Sequence, residues 1–141
     1  MTVEETGFAR HVLFNLWGCQ RVPDARGLTE VVGEAVRLTG AFITATTFEE
    51  MSDGGVIVGV FHTLGHATLC VTGTEAYADF FSFNPRGWQE FGRALKRLMG
   101  PARTEEKQLD RPRPWDVARG VRQSSCAFGQ YYMNRNGGLA T

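Results

Sequence analysis

The part of the chain that most constrains the fold is VIVGVFHTLGHATLCVTGTEAYADFFSF, residues 56–83. It contains three segments rich in β-branched and aromatic residues, and only Leu64-Gly65 and Thr72-Gly73-Thr74 separate them. Such segments favour β-strands, and connections this short can join only antiparallel neighbours. The middle segment, HATLCVT, also alternates apolar and polar residues, which is typical of a strand with one buried face. The stretch therefore predicts three consecutive antiparallel strands.

The rest of the chain up to about residue 110 supplies three more strands and two helices. In the first segment, FARHVLFNLW, successive side chains alternate between two faces, which predicts a strand. Apolar residues recur at helical spacing after Asp24 and Gly27, and again after Asn84-Pro85, which predicts two helices. In chain order, the prediction is strand 8–17, helix 28–38, strands 41–48, 56–63, 66–72 and 76–83, a helix between Pro85 and Gly100, and a short strand near 103–109.

Two amphipathic helices can cover only one face of a sheet of this size. The sequence therefore predicts an α+β fold, a two-layer sandwich of a mostly antiparallel sheet with two helices on one face. We assign residues 1–110 to this domain. Residues 111–141 are rich in Arg, Gly, Asn and Gln and are predicted to form an irregular C-terminal tail.

Composition excludes several classes of function. Fifteen basic and fifteen acidic residues cancel, so no net field attracts nucleic acid or an anionic membrane. No apolar run approaches the roughly 20 residues of a membrane span, and the acidic N-terminus does not resemble a signal peptide. The three cysteines are far apart and form no CxxC pair, which favours a reducing, cytoplasmic location.

Within residues 56–83, His62, His66 and Cys70 are spaced four residues apart. On a helix, this spacing would place metal ligands on one face. In the predicted strands the three residues spread out, and His62 lies across the Leu64-Gly65 turn, so a metal site is not predicted. One interpretation of Cys70 is a nucleophile with His66 as its base, which would require a bend in the strand or a residue from another strand, because the two are too far apart on an extended strand. The other interpretation is a packed and inert thiol.

Several segments, in order and at matching spacing, resemble the small prokaryotic S-adenosylmethionine decarboxylases. FARHVLFNLWGC is similar to that family's opening strand, which typically reads GRHLVAEFYEC. The other similar segments are Gly40-Ala41, Thr46-Thr47-Phe48, DGGVIVGVF and GWQEFGRALKRL. The resemblance covers about residues 8–110 and implies the predicted α/β sandwich as a homodimer. We expect the dimer to form across the uncovered sheet surface or its edge, because the helices leave that face open and it carries Trp17, Tyr77, Phe81 and Phe83.

The resemblance also implies a proenzyme that cleaves itself at the serine of a Glu-Ser-His triplet to form a pyruvoyl group. The corresponding residues here are Leu64-Gly65-His66, and glycine has no hydroxyl for this reaction. Three further catalytic positions of the family correspond to Ile57, Cys70 and Phe83, and its TWPE segment corresponds to residues 72–75. The chain is therefore expected to lack a pyruvoyl group, other cofactors and metals.

The function predicted from these observations is a repurposed pocket that binds S-adenosylmethionine or a metabolite of similar size. Acid–base or lyase-type conversion of that ligand is the favoured extension. The predicted catalytic residues are His66, Cys70 and Glu75, and the predicted ligand-binding residues are His11, Asn15, Trp17, Thr68, Tyr77 and Asp79. Two alternatives are a catalytically dead partner that regulates an active decarboxylase and a ligand sensor.

Overall fold

A computed structural model describes residues 8–84 and 86–112 of the chain. It contains six strands and two helices, in the order β1 (Phe8–Trp17), α1 (Ala25–Arg37), β2 (Ile43–Glu50), β3 (Val56–His62), β4 (Gly65–Thr72), β5 (Glu75–Ser82), α2 (Trp88–Met99) and β6 (Arg103–Pro112). The predicted α+β sandwich is confirmed.

The six strands form one sheet in the order β2-β3-β4-β5-β1-β6, and every neighbouring pair is antiparallel. The predicted meander β3-β4-β5 is confirmed, and β1 inserts between β5 and β6. The register aligns His66 of β4 with Phe81 of β5, and Phe81 with His11 of β1. This row crosses the middle of the sheet, so it positions residues that are far apart in sequence.

Both helices pack on the same face of the sheet, and the core lies between the two layers. Each central strand contributes alternate residues to this core. From the sheet these are mainly Val12, Phe14, Leu16, Val58, Val60, Ala67, Leu69, Val71, Ala76, Ala78 and Phe80, and from the helices Leu28, Val32, Ala35, Val36, Phe91, Ala94, Leu95 and Met99. The opposite face carries no helix within the described residues, and we refer to it as the open face.

Local signals in the sequence set the helix ends. Asp24 caps α1, and its side chain accepts a hydrogen bond of 2.9 Å from the Gly27 amide. At the end of α2, Gly100 adopts a left-handed conformation and its amide donates to the Lys96 carbonyl. The predicted C-terminal signal at Gly100-Pro101 therefore ends α2 as expected.

The main differences from the sequence prediction are at element boundaries. α1 begins three residues earlier than predicted, and β2 is shifted by two residues to Ile43–Glu50. α2 begins at Trp88 rather than directly after Pro85, because Gly87 forms its N-cap. β6 extends to Pro112, two residues past the predicted domain boundary; residues 113–141 of the predicted tail lie outside the described residues. Neither described helix is long and apolar enough to cross a membrane.

Two glycines inside the helices give a matched test of how closely the layers pack. A Cβ at Gly92 of α2 would lie 2.7 Å from Cε1 of the buried Phe14, whereas one at Gly33 of α1 would make only ordinary contacts of 3.5 Å. Gly33→Ala should therefore gain up to about 1 kcal/mol of stability from helix propensity. Gly92→Ala should lose stability by about 1–3 kcal/mol, because the ring of Phe14 has to move within a packed core.

Urea unfolding of the two variants and the parent chain measures this difference. A Gly92→Ala protein as stable as Gly33→Ala would contradict the packing of α2 against β1 described here.

Candidate functional site

The two histidines of the His62-x-x-x-His66 spacing lie on opposite faces of the sheet. His62 ends β3 on the helix-covered face, where it is 5% exposed and stacks on Phe80 with ring centroids 5.4 Å apart. Its Nδ1 accepts a hydrogen bond of 3.2 Å from the Leu64 amide. His66 lies on the open face and its side chain is 41% exposed. His62 is therefore a structural residue of the β3–β4 turn.

His66 belongs to a compact polar group on the open face that we call the His–Asp cluster: His11, His66, Thr68 and Asp79. Oδ1 of Asp79 lies 3.8 Å from Nε2 of His11 and 3.9 Å from Nδ1 of His66, so one carboxylate oxygen lies near both imidazoles. The hydroxyl of Thr68 donates a 2.9 Å hydrogen bond to the other oxygen, Oδ2. Strands β1, β4 and β5 thus bring one carboxylate and two imidazoles together.

The carboxylate of Asp79 is held in its ionised form. Burial by itself would raise the pKa of Asp79, but the pKa is lowered because the hydrogen bond from Thr68 and the imidazoles of His11 and His66 outweigh it. At 3.8 Å the His11 contact is longer than a hydrogen bond, so we treat it as electrostatic. Neither Nε2 of His11 nor Oδ1 of Asp79 has a hydrogen-bond partner among the described residues, although both atoms are buried. These two atoms therefore have hydrogen-bonding capacity that the described residues leave unused.

Aromatic rings surround the exposed imidazole. Phe81 stacks on His66 with centroids 5.2 Å apart, and it meets the ring of His11 edge-on at 5.8 Å. Phe61 of β3 approaches His66 from the other side, with centroids 6.4 Å apart. These contacts restrict the orientation of His66 and place apolar surface next to the Asp79 carboxylate.

A shallow depression of about 190 Å³ opens beside the cluster, between β3 and β4. It is lined by Gly59, Phe61, His66 and Thr68, together with Val60 and Ala67. The depression exists because Gly59 has no side chain. Ile57 and Phe61, two residues before and after it on β3, have large side chains on the open face. A pocket for a complete organic ligand usually has about 300–1,000 Å³, so this space fits only one group of such a ligand.

The other predicted site residues form a second group further along the open face. Cys70 is paired with Tyr77 in the β4–β5 register, and Tyr77 with Asn15. The hydroxyl of Tyr77 donates a 2.9 Å hydrogen bond to Glu75, which raises the pKa of Tyr77. Tyr77 is therefore a hydrogen-bond donor at neutral pH rather than a base.

The predicted catalytic residues do not meet at one point. His66 and Cys70 are four residues apart on an extended strand, which separates them by about 13 Å. Phe81 is the cross-strand partner of His66, and Glu75 lies six residues from Phe81 along β5. The distance between Glu75 and His66 is therefore about 20 Å. Of the nine predicted residues, the structure brings together His11, His66, Thr68 and Asp79, whereas Cys70, Glu75, Tyr77, Asn15 and Trp17 lie in the second group.

Sequence reasoning missed three contributors to the open face. Phe61 was not predicted to face the cluster, and Gly59 was not recognised as the origin of a depression. A single glycine inside an otherwise strong strand pattern is a signal for such a close approach. The third is Arg103 of β6, whose guanidinium carbon lies 4.2 Å from the ring centre of Trp17. The β1–β6 register that creates this contact was not predicted.

Within the described part of the chain, no group of three or more His, Cys, Asp or Glu side chains has the arrangement needed to hold a metal ion. The chemistry that the side chains of the cluster can supply is electrostatic attraction by Asp79 and proton transfer by the imidazoles.

The fold of this chain is similar to that of a solved adenosylmethionine decarboxylase. The crystal structure of the adenosylmethionine decarboxylase from Aquifex aeolicus superimposes on this chain with a TM-score of 0.67. The alignment covers 74% of this chain and 91% of the other, at 14% sequence identity. No family model and no curated protein matches the sequence. The likeness establishes the fold.

His62 should make the stability of the protein depend on pH. Burial lowers the pKa of His62, so the unfolded chain takes up a proton more readily than the folded one. Stability is fully present above the unfolded pKa of about 6.5 and should fall as the pH drops below it, by less than about 1.4 kcal/mol per pH unit. Urea unfolding between pH 7.5 and 5 measures this slope, and His62→Gln should flatten it. An equal slope in both proteins would show that His62 is not the group responsible.

Proposed function

We propose that this chain is a decarboxylase-fold protein that does not cleave itself and that binds a cationic organic ligand at the His–Asp cluster. S-adenosylmethionine, or a metabolite of similar size and charge, is the ligand class that the chemistry favours. The observation that carries this proposal is the ionised Asp79 carboxylate, held between two imidazoles with one oxygen unpaired among the described residues. An anion in this setting attracts a positive centre such as a sulfonium or an ammonium.

The surroundings of Asp79 support a ligand that is both charged and apolar. The rings of Phe61 and Phe81 lie on either side of His66, and aromatic faces attract cations as well as apolar groups. The depression at Gly59 is adjacent, so a small group of the ligand fits there while the remainder lies across the open face. Recognition therefore combines one charge contact with aromatic contacts and a small recess.

Conversion of the ligand by acid–base chemistry is the extension of this proposal. His66 is the exposed imidazole of the pair, so it is the group that reaches a bound molecule. The pKa of an unperturbed histidine is near neutrality, which suits both proton donation and proton removal. Asp79 would position this imidazole and compensate the charge that it gains on protonation.

The absence of self-cleavage follows from Gly65. Gly65 corresponds to the self-cleaving serine of the decarboxylase family that the sequence resembles. Glycine has no side chain that could act as the nucleophile. The local packing adds a second obstacle, because a Cβ at Gly65 would overlap the carbonyl oxygen of Phe81 on the neighbouring strand. A serine would therefore not fit here without movement of the backbone.

A second candidate function is that of a dead partner for an active decarboxylase. The open face exposes Ile57, Phe61, Tyr77 and Leu109, which are large apolar side chains. Another protein covering this face would bury them. Co-purification of an active decarboxylase with the tagged chain from its native host would support this alternative.

Mass spectrometry tests the processing prediction. The denatured chain should give a single species near 15.6 kDa, and Gly65→Ser should also stay intact but melt at a lower temperature because its Cβ overlaps Phe81. Cleavage of the parent chain between Leu64 and Gly65, or a new terminus that reacts with carbonyl reagents, would refute the proposal. Efficient cleavage of Gly65→Ser would refute the packing argument alone.

Calorimetry tests the ligand class. S-adenosylmethionine and its decarboxylated form should bind more tightly than the neutral thioether analogue, because only the first two carry the sulfonium. Asp79→Asn should remove this preference, and His66→Ala should weaken binding by about 1–3 kcal/mol without unfolding the protein. Gly59→Val should weaken binding with little loss of stability, because a Cβ there contacts only Thr47, at 3.5 Å.

Gln89→Ala, on the exposed side of α2, is the control and should bind like the parent chain. If none of the three compounds binds, and His66→Ala lowers only the melting temperature, the ligand proposal is wrong and the partner function becomes the better explanation. Turnover of the bound ligand separates an enzyme from a sensor.

A further inference from the structure

Apolar groups bound the recess at Gly59. The ring of Phe61 stands beside it on β3 and is 55% exposed. On the β2 side, a Cβ added to Gly59 would lie 3.5 Å from Cγ2 of Thr47, so a methyl group forms that side. Gly59 is paired with β2 on one side and with β4 on the other, so the backbone at the floor of the recess belongs to both ladders. The sheet therefore already uses the polar groups of the floor.

The two polar side chains of the lining, His66 and Thr68, direct polar atoms to Asp79. The hydroxyl of Thr68 donates to Oδ2, and Nδ1 of His66 lies 3.9 Å from Oδ1. A ligand group that enters the recess therefore meets mainly hydrocarbon. A nucleobase would lose hydrogen bonds to water on the side that enters, without gaining others in return. The recess thus favours an apolar group over a base.

The volume of the recess sets the size of that group. It measures about 190 Å³, and an apolar cavity of about 150 Å³ is large enough to hold benzene. A single six-membered ring, or a branched alkyl group of similar volume, therefore fits. The flat ring of Phe61 at one side favours the aromatic choice, because two rings in contact attract each other beyond the burial of their surface.

The sheet fixes the distance between the recess and the Asp79 carboxylate. Gly59 of β3 is paired with Thr68 of β4, and Thr68 is paired with Asp79 of β5. The recess lies between β3 and β4, so its centre is about one and a half strand spacings, roughly 7 Å, from the strand that carries Asp79. A ligand that uses both features lies across the strands and carries its cationic centre about this far from its apolar end.

We propose that the site is selective for an arylalkyl amine, whose single aromatic ring occupies the Gly59 recess while its ammonium group binds at Asp79. This inference rests on the proposed function, from which it takes the charge contact at Asp79. It adds which group enters the recess and how far that group lies from the cation. S-adenosylmethionine carries a polar base in place of an apolar ring, so it should bind less tightly than such an amine.

Gly59 is then the residue that determines specificity. A valine side chain at this position would occupy the space of the ring. The sheet accepts a β-carbon there, because its nearest contact is the Thr47 methyl at an ordinary van der Waals distance. A substitution at Gly59 should therefore change the preference for the ring and leave the melting temperature no lower than that of the parent chain.

Nuclear magnetic resonance titration of the full chain with phenylalkylamines tests the spacing. Phenylpropylamine, whose extended chain spans the distance from Asp79 to the recess, should bind at least ~10-fold more tightly than benzylamine or propylamine, because only phenylpropylamine reaches both. Phenylpropanol has the ring without the charge and should bind more weakly than phenylpropylamine. Asp79→Asn should remove this difference between the amine and the alcohol.

Variants at Gly59 test the position of the ring. Gly59→Val should bind phenylpropylamine no more tightly than propylamine, and the smaller change Gly59→Ala should reduce the preference in part. Gly33→Ala in α1 is the matched control, since it also adds a methyl group that fits, on the far side of the sheet, and it should bind like the parent chain. Nuclear Overhauser contacts from the ring protons of phenylpropylamine should reach the Thr47 methyl.

Equal binding of propylamine and phenylpropylamine to the parent chain, or an unchanged preference for the ring in both Gly59 variants, would overturn this inference. If binding of the amines still depended on Asp79, the proposed charge contact would stand. Absence of any Asp79-dependent binding, by these amines and by S-adenosylmethionine, would refute both proposals. Contacts from the ring to Tyr77 instead of Thr47 would place it in the second group and overturn the inference.

Discussion

The antiparallel register among β4, β5 and β1 is the constraint on which the candidate site depends. This register aligns His66, Phe81 and His11 in one row and places Thr68 beside Asp79 in the next. Side chains alternate between the two faces of a strand, so a slip of one residue in β4 would turn His66 towards the helices and expose Ala67. The burial of the apolar face therefore fixes the position of the polar cluster on the other face.

Two glycines, Gly59 and Gly65, affect the structure of the sheet in different ways. Gly65 lets β4 approach the backbone of Phe81 so closely that no side chain fits there. Gly59 leaves a recess in the open face beside Thr68, where a larger residue would fit without strain. The first glycine is required by packing, whereas the second is not. The recess at position 59 therefore depends on the identity of one residue and not on the packing of the sheet.

The open face combines an ionised carboxylate, imidazoles and aromatic rings within two neighbouring rows of the sheet. This combination is the basis of the proposed binding of a cationic ligand. The side chains of these rows alternate with those that pack against the helices, so substitutions on the open face can change ligand binding without opening the core.

The sequence by itself determined the fold class, the six strands and two helices, and the faces of β4 and β5, because alternation and helical periodicity are local properties of the chain. It also indicated that His62 and His66 would not form a helical metal site. Only the tertiary structure decided that β1 lies between β5 and β6, and therefore that His11 joins His66 and Asp79 while Cys70 and Glu75 lie elsewhere. The reason is physical: the pairing of strands that are distant in sequence depends on how the whole apolar face is buried, and no local pattern in 8–17 or 103–112 encodes that choice.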